Sequence, residues 1–239
     1  SCMVLVAIAH RAQVFLMGAF KFPREGTWLV SVLLLVLTLG MCFTGQVLRW
    51  DASAYWGVGV GASMAGRVPV VGPWLVEMIL GGNAISGQTL SRFFSLHVFV
   101  IPGLLLASLG VHLYLVLRHG ISEPPVPGKP VDPATYEKEY HAELEATGEP
   151  FFPAAVQRDM IFSFVTVVAV VLIASVIGPE GPGIPADPTL FGFEPKPDWY
   201  FLPAYSLLAL SPPELEMIVM LVLPVIGLKV MSFVHQAGE

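Results

Sequence analysis

Charge is what this sequence has least of: Asp, Glu, Lys and Arg make up 13% of its 239 residues, against 55% that are hydrophobic. Mean hydropathy is +0.73. A water-soluble globule of this length cannot cover such a balance with polar surface, so the composition places the chain in a bilayer. Cysteine is nearly absent as well. Cys2 and Cys42 each stand alone in an apolar stretch, without the paired spacing of a thiolate metal site. The net charge of -6 comes mostly from loop carboxylates and gives no reason to expect a nucleic-acid partner. The first apolar run, Met3–Met17, is preceded by neither a methionine nor a basic leader, and no small-residue cleavage site accompanies it. It therefore reads as part of a helix rather than a signal peptide, and the chain as an internal piece of a longer protein.

What is present is long apolar runs. Thr27–Leu48, Phe93–Leu117, Met160–Ile177 and Leu215–Phe233 each approach or exceed the ~20 residues that cross a hydrocarbon core. With the shorter first run they predict an all-α, polytopic transmembrane helical bundle of about five membrane helices, the first partial. Alternating the loops between two sides groups Arg11, Lys21, Arg24, Arg118, Lys129, Lys138, Arg158 and Lys229 against Arg49, Arg67, Arg92 and Lys196. The richer side is expected to be cytoplasmic.

Between the second and third spans, Asp51–Gln88 is rich in small residues, and Pro69, Gly72 and Pro73 divide it into two amphipathic stretches. These predict paired helices on the outer surface. The expected organisation is an N-terminal bundle over 1–119, an inner linker over 120–159, and a C-terminal region over 160–239. The last region opens with a span and continues through a Pro- and Gly-rich outer loop to Pro197-Asp198-Trp199-Tyr200.

Histidine inside a membrane helix is costly, yet His97 and His112 both lie within one span. Fifteen positions at about 100° each leave the second within about 60° of the first, roughly 22 Å further along the axis. One helix would thus offer one axial ligand to each of two stacked haems. Packing of both histidines against neighbouring helices by hydrogen bonds is the other reading of the spacing. His10, near the inner end of the first helix, lies at the depth of His112. A partner for His97 would fall before residue 1. Ser31 and Gly45 sit fourteen apart on the second span, the interval of two haems, where small residues would let porphyrin edges approach the backbone. Arg92 precedes the third span, as a propionate partner or an interfacial anchor.

Several segments resemble cytochrome b of the cytochrome bc-type complexes. They are Phe20-Lys21-Phe22-Pro23-Arg24-Glu25-Gly26-Thr27-Trp28, Asp51–Gly57 with Tyr55-Trp56-Gly57, Val68-Pro69-Val70-Val71-Gly72, Thr89–His97, Gly120-Ile121-Ser122, and Pro197-Asp198-Trp199-Tyr200-Phe201. The last is similar to the family's PEWY signature, with the shorter Asp198 where glutamate is usual. The His97–His112 interval and Gly148-Glu149-Pro150 resemble the chloroplast and cyanobacterial form, here joined to a region like its subunit IV. A bacterial source fits such a fusion.

The resemblance implies a di-haem subunit of a quinol:cytochrome c or plastocyanin-type oxidoreductase with proton translocation, in a bacterial inner (cytoplasmic) membrane. His10 and His112 would ligate the inner, high-potential b-type haem, and His97 the outer, low-potential one. Outer quinol would be oxidised near Gly57, Pro197, Asp198, Trp199 and Tyr200, with Asp198 accepting a proton. Arg118, His119, Arg158 and Asp159 match regions that contact the inner quinone or haem propionates. Gln13 stands where many relatives carry an arginine directed at a propionate, while Arg11 is nearby. His141 and His235 read as structural or solvated.

The implied partners are a Rieske iron–sulfur protein, a cytochrome c-type subunit, quinone, and a second copy in a homodimer. Two alternatives remain at this point. One is a di-haem anchor of another respiratory oxidoreductase, a class that lacks the Asp198 loop. The other is a transporter or structural membrane subunit that uses its histidines for packing.

Overall fold

The computed structural model describes residues 2–122, 131–178, 181–190, 192–216 and 219. Lys129, Lys229 and His235, and nearly all of the expected last span Leu215–Phe233, lie outside the described residues. The described residues fall into two compact units, one within 1–127 and 182–239, the other within 128–181. They contain helices and no strand; a single antiparallel bridge joins Asp51 to Pro185.

In the first unit, α1 (Cys2–Leu16) and α2 (Glu25–Val47) are joined by a turn whose aromatic residues do the packing. Phe20, Trp28 and Val32 are buried there, with Phe15 stacked on Phe20 at 5.3 Å between ring centres. Burying rings of this size contributes a few kcal/mol each, about 25 cal/mol per Å² removed from water. Arg24 is buried in the same turn. It donates to the carbonyls of Gly120 (3.1 Å) and Ile121 (2.8 Å), which follow the last turn of a helix 96 positions away.

α3 (Ala52–Gly66) and α4 (Gly72–Leu80) form the expected helical pair. Their connection is tight enough that a Cβ on Gly72 would lie 2.3 Å from the Gly66 carbonyl oxygen, so only glycine fits. Val47, Val58, Ala62, Leu80 and Phe93 make the core that joins this pair to α2 and to α5 (Gly87–Ser95). A reciprocal cap starts α5: the Thr89 hydroxyl accepts from the Ser86 N–H at 3.0 Å and donates to the Leu80 carbonyl at 2.6 Å, while Ser86 caps in return. This cap extends the third span six residues before the expected Phe93.

A π-helical turn, Leu96–Val100, carries α5 into α6 (Ile101–His119). Pro102 has no N–H to continue the ladder at this level, and the Ile101 N–H reaches back five residues to Leu96. Gly87–His119 is thereby one rod of 33 residues, whose 18-residue apolar stretch has a mean hydropathy of 2.1. With Glu25–Val47 and Phe151–Ile177 it makes three helices among the described residues that are long and apolar enough to cross a membrane. The fold is a polytopic membrane bundle.

The second unit contains α7 (Tyr136–Thr147) and α8 (Val156–Ile177). The charged part of the linker is helical, and α7 starts with Glu137 and Glu139 in its first turn, complementing the helix dipole. α8 begins four residues before the expected Met160 and buries none of its residues within the chain. An apolar helix exposed on all sides is at home in lipid or against other helices. In the first unit again, the outer loop ends in a 3-10 turn, Trp199–Phe201, that continues into α9 (Leu202–Ala209).

Candidate functional site

Both candidate iron-ligating histidines of the third span face α2. At one depth the imidazole of His97 lies against Gly45. A Cβ there would come within 2.8 Å of the ring's Cε1, so glycine is what allows the ring to approach the helix. The Thr44 hydroxyl is 2.9 Å from His97 Nδ1 and also donates to the Gly40 carbonyl at 2.8 Å. A hydroxyl held in this way fixes the ring's orientation, as second-sphere groups of metal-bound histidines do. An open groove of about 600 Å³, lined by Leu48, Leu90, Ser91, Phe94 and Ser95, lies near the start of the third span.

At the other depth His112 is half-buried beside His10 and Arg11, with its ring at the Thr27 backbone. The Arg11 guanidinium donates to the Ser31 carbonyl and lies over the Trp28 ring, 5.1 Å from its centre. Buried here without hydrogen-bond partners are His112 Nδ1, Arg11 Nε and Nη1, and Thr27 Oγ1. Unpaired buried donors are expensive. A bound group with imidazole-ligated iron and anionic carboxylates supplies what these atoms lack, so the residues present fit a haem. His10 is exposed.

The π-turn changes the phase expected of these two histidines. It absorbs one residue, so fifteen positions act as about fourteen and the offset falls from about 60° to about 40°. Both rings therefore stay on the α2 side of the rod. A turn of this kind leaves no mark on hydropathy.

The Asp198 loop forms a second cluster. The Tyr200 hydroxyl donates to Asp198 at 2.6 Å, and Asp198 makes no capping bond to the turn that follows it. Burial, and then the carboxylate beside it, push the Tyr200 hydroxyl well above its ordinary pKa. The Cys42 thiol also adjoins this hydroxyl, which brings Tyr200 to α2 one turn from Gly45. Trp199 packs edge-on to Tyr200 at 5.5 Å, and Pro197 precedes them half-buried. Gly57 on α3 has open space where a Cβ would stand.

Other expected site residues are placed less pointedly. Arg92 donates to the Met78 carbonyl at 2.5 Å and lies against Gly81, so it caps the end of α4. Arg118 is exposed in the last turn of α6, and His119, next to it, has a buried Nδ1 without a partner. In the second unit Arg158 pairs with Glu149 at 2.5 Å, and Asp159 stands in the first turn of α8. Thr44, Cys42 and Asp51 were not among the expected site residues. Thr44 had a signal, a hydroxyl adjoining the small residue at haem depth; the other two are revealed only by contacts from distant segments.

The sequence family described as cytochrome b (N-terminal)/b6/petB matches residues 1–185. Cytochrome b6 of Synechococcus sp. (strain JA-3-3Ab) is 45% identical over 124 residues, which cover 52% of this chain and 58% of that protein. Cytochrome b6 of Prochlorococcus marinus (strain MIT 9303) is 42% identical over 124 residues, 52% of this chain and 57% of that protein. A chain of a solved structure titled hyperthermophilic respiratory complex III shares the fold. Its TM-score is 0.73 at 24% identity, over 96% of this chain and 59% of that one. The chain thus spans somewhat over half the length of the relatives it matches.

Proposed function

The chain belongs to the cytochrome b (N-terminal)/b6 family, and from that premise we propose that it is part of the di-haem membrane subunit of a quinol:cytochrome c or plastocyanin-type oxidoreductase. The observation that carries the proposal is the pair of histidines on one rod, both turned to α2 at two depths. One lies against Gly45, and the other shares its surroundings with His10 and Arg11. Packing alone accounts for the His97 ring on Gly45 and Thr44, but it leaves the orphaned polar atoms around His112 without a reason.

In this reading His10 and His112 hold an inner b-type haem, and His97 holds an outer one together with a ligand from outside this chain. When bound, the haems supply one-electron transfer between the two faces, and paired histidines leave no open iron position for substrate. Ser31 and Gly45 are the small residues of α2 at the two depths, and Gly45 makes room for the His97 ring. Arg11 is the cation nearest the inner site, and Arg92 serves the outer side by fixing α4.

Quinol is bound at the outer face between the Asp198 loop and α3. Tyr200, kept protonated by its raised pKa, donates to Asp198 and orients that carboxylate. Asp198 is exposed and passes a substrate proton to outer water. Arg118 and His119, with Arg158 and Asp159, supply charge and protons for quinone at the inner face. Residues 1–119 are the haem-binding part, 120–159 a cytoplasmic linker, and 160–239 the subunit IV-like part. The family and a structural neighbour titled respiratory complex III support assembly with partner subunits; the arrangement proposed is a Rieske protein, a cytochrome c-type subunit and a second copy, in a bacterial cytoplasmic membrane.

Asp198→Asn in the complete complex tests the outer site. Quinol oxidation is expected to fall about 100-fold with the haem spectrum unchanged. An unchanged rate would favour a di-haem anchor or move the proton acceptor elsewhere.

A further inference from the structure

Helix α3 is tied at both of its ends to the segment that carries Asp198 and Tyr200. At its start Asp51 is 2% exposed; one carboxylate oxygen accepts the Ala54 N–H at 2.9 Å and caps the helix. The other accepts the Gly183 N–H at 3.0 Å, across 132 positions, and also meets Arg49 at 2.8 Å. The Ala52 N–H donates to the Ile184 carbonyl at 2.8 Å, completing the bridge. At the far end of α3, Arg67 pairs with Glu216 at 2.6 Å, across 149 positions. Between the two ties Val60, Ser63 and Met64 of α3 face Tyr205, Leu208 and Ala209 across a groove of about 380 Å³, which the Arg67–Glu216 pair closes.

We propose that Asp51 and the Arg67–Glu216 pair are positioning residues for the outer quinol site, a two-point clasp that sets the distance between the Asp198–Tyr200 turn and the Gly57 face of α3. This rests on the outer-site reading above. The turn lies between the two tied points, at 183 and 216, so neither tie alone fixes it. Asp51 is suited to the first point because one carboxylate serves the helix and the loop together. An asparagine there offers one acceptor and one donor, so it retains the helix cap while turning an N–H toward Gly183. Arg67 is suited to the second because a charged pair on a partly exposed rim is directional without needing a dry core. A pocket held at the wrong width loses substrate binding before it loses chemistry, which raises KM more than it lowers kcat.

The experiment uses the complete complex in membranes, with a short-chain soluble quinol as substrate and haem content measured alongside. Arg67→Glu places like charges together, and KM is expected to rise about fivefold, more than a neutral loss of an exposed pair. kcat is expected to stay within about twofold and haem content to be unchanged. The exchange Arg67→Glu with Glu216→Arg is expected to restore KM to within about twofold of wild type. Asp51→Asn is expected to raise KM in the same direction, and Arg67→Gln serves as the milder variant if Arg67→Glu lowers haem content. A KM that is unmoved in Arg67→Glu, or an exchange no better than the single variant, overturns the clasp while the wild-type enzyme still oxidises quinol. A haem-loaded wild-type complex that does not oxidise quinol overturns the outer-site reading instead.

Discussion

The two histidines of the third span occupy unlike surroundings. His97 has its ring fitted against Gly45 and its Nδ1 beside the Thr44 hydroxyl. His112 shares its surroundings with His10 and Arg11, and its own Nδ1 and two Arg11 nitrogens are buried without partners. The His97 ring is therefore oriented by Gly45 and Thr44, whereas the His112 ring has a second histidine nearby and buried polar atoms that no residue around it satisfies. Orientation and ligand supply are separate requirements of a haem site, and under the proposed function the two depths would meet them from different residues.

The largest expected effect comes from removing a ligand. His112→Phe should abolish the inner haem and leave the outer one, so the purified complex would retain one b-type centre in a redox difference spectrum. Retention of both would erase the contrast between the depths. Gly45→Val should come next. Its side chain invades the space of the His97 ring at a cost of about 1–3 kcal/mol, with loss confined to the outer haem's absorbance. Thr44→Val keeps the volume and removes the hydroxyl, worth about 1 kcal/mol, and a potentiometric titration should show a small shift of the outer midpoint alone.

How much of this was readable beforehand depended on distance along the chain. Helix α2 was expected over Thr27–Leu48 and runs Glu25–Val47, because unbroken apolarity and the turn before it are local signals. The pairing of α3 with α4 was likewise legible from Pro69, Gly72 and Pro73. His97, His112 and Gly45 were legible because a helix converts spacing into depth. The π-turn was not, since one extra residue in a helix leaves hydropathy unchanged. Asp51 reads locally as an ordinary cap, and its bond to Gly183 spans 132 positions with no periodicity to announce it. Arg92 was judged by its nearness to a helix end, but the carbonyls of α4 were closer.

The smallest effect expected is in acid. Burial alone would raise the Asp51 carboxyl, but the N–H groups of Ala54 and Gly183, with Arg49, outweigh it and hold the pKa below the ordinary value. A depressed folded pKa contributes stability that is complete above the unfolded carboxylate value of about 4 and is lost as pH falls through the folded value. Thermal unfolding of the complex should therefore lose stability below about pH 4. Asp51→Asn should flatten that acid limb and leave neutral-pH haem spectra as they are.

The most direct measurement is a potentiometric titration of the b-type absorbance in the complete purified complex, compared with His97→Phe and His112→Phe. The account predicts two paired-histidine centres with separate midpoints, each variant losing a different one. A complex without b-type absorbance, or one in which both variants retain both centres, would contradict it.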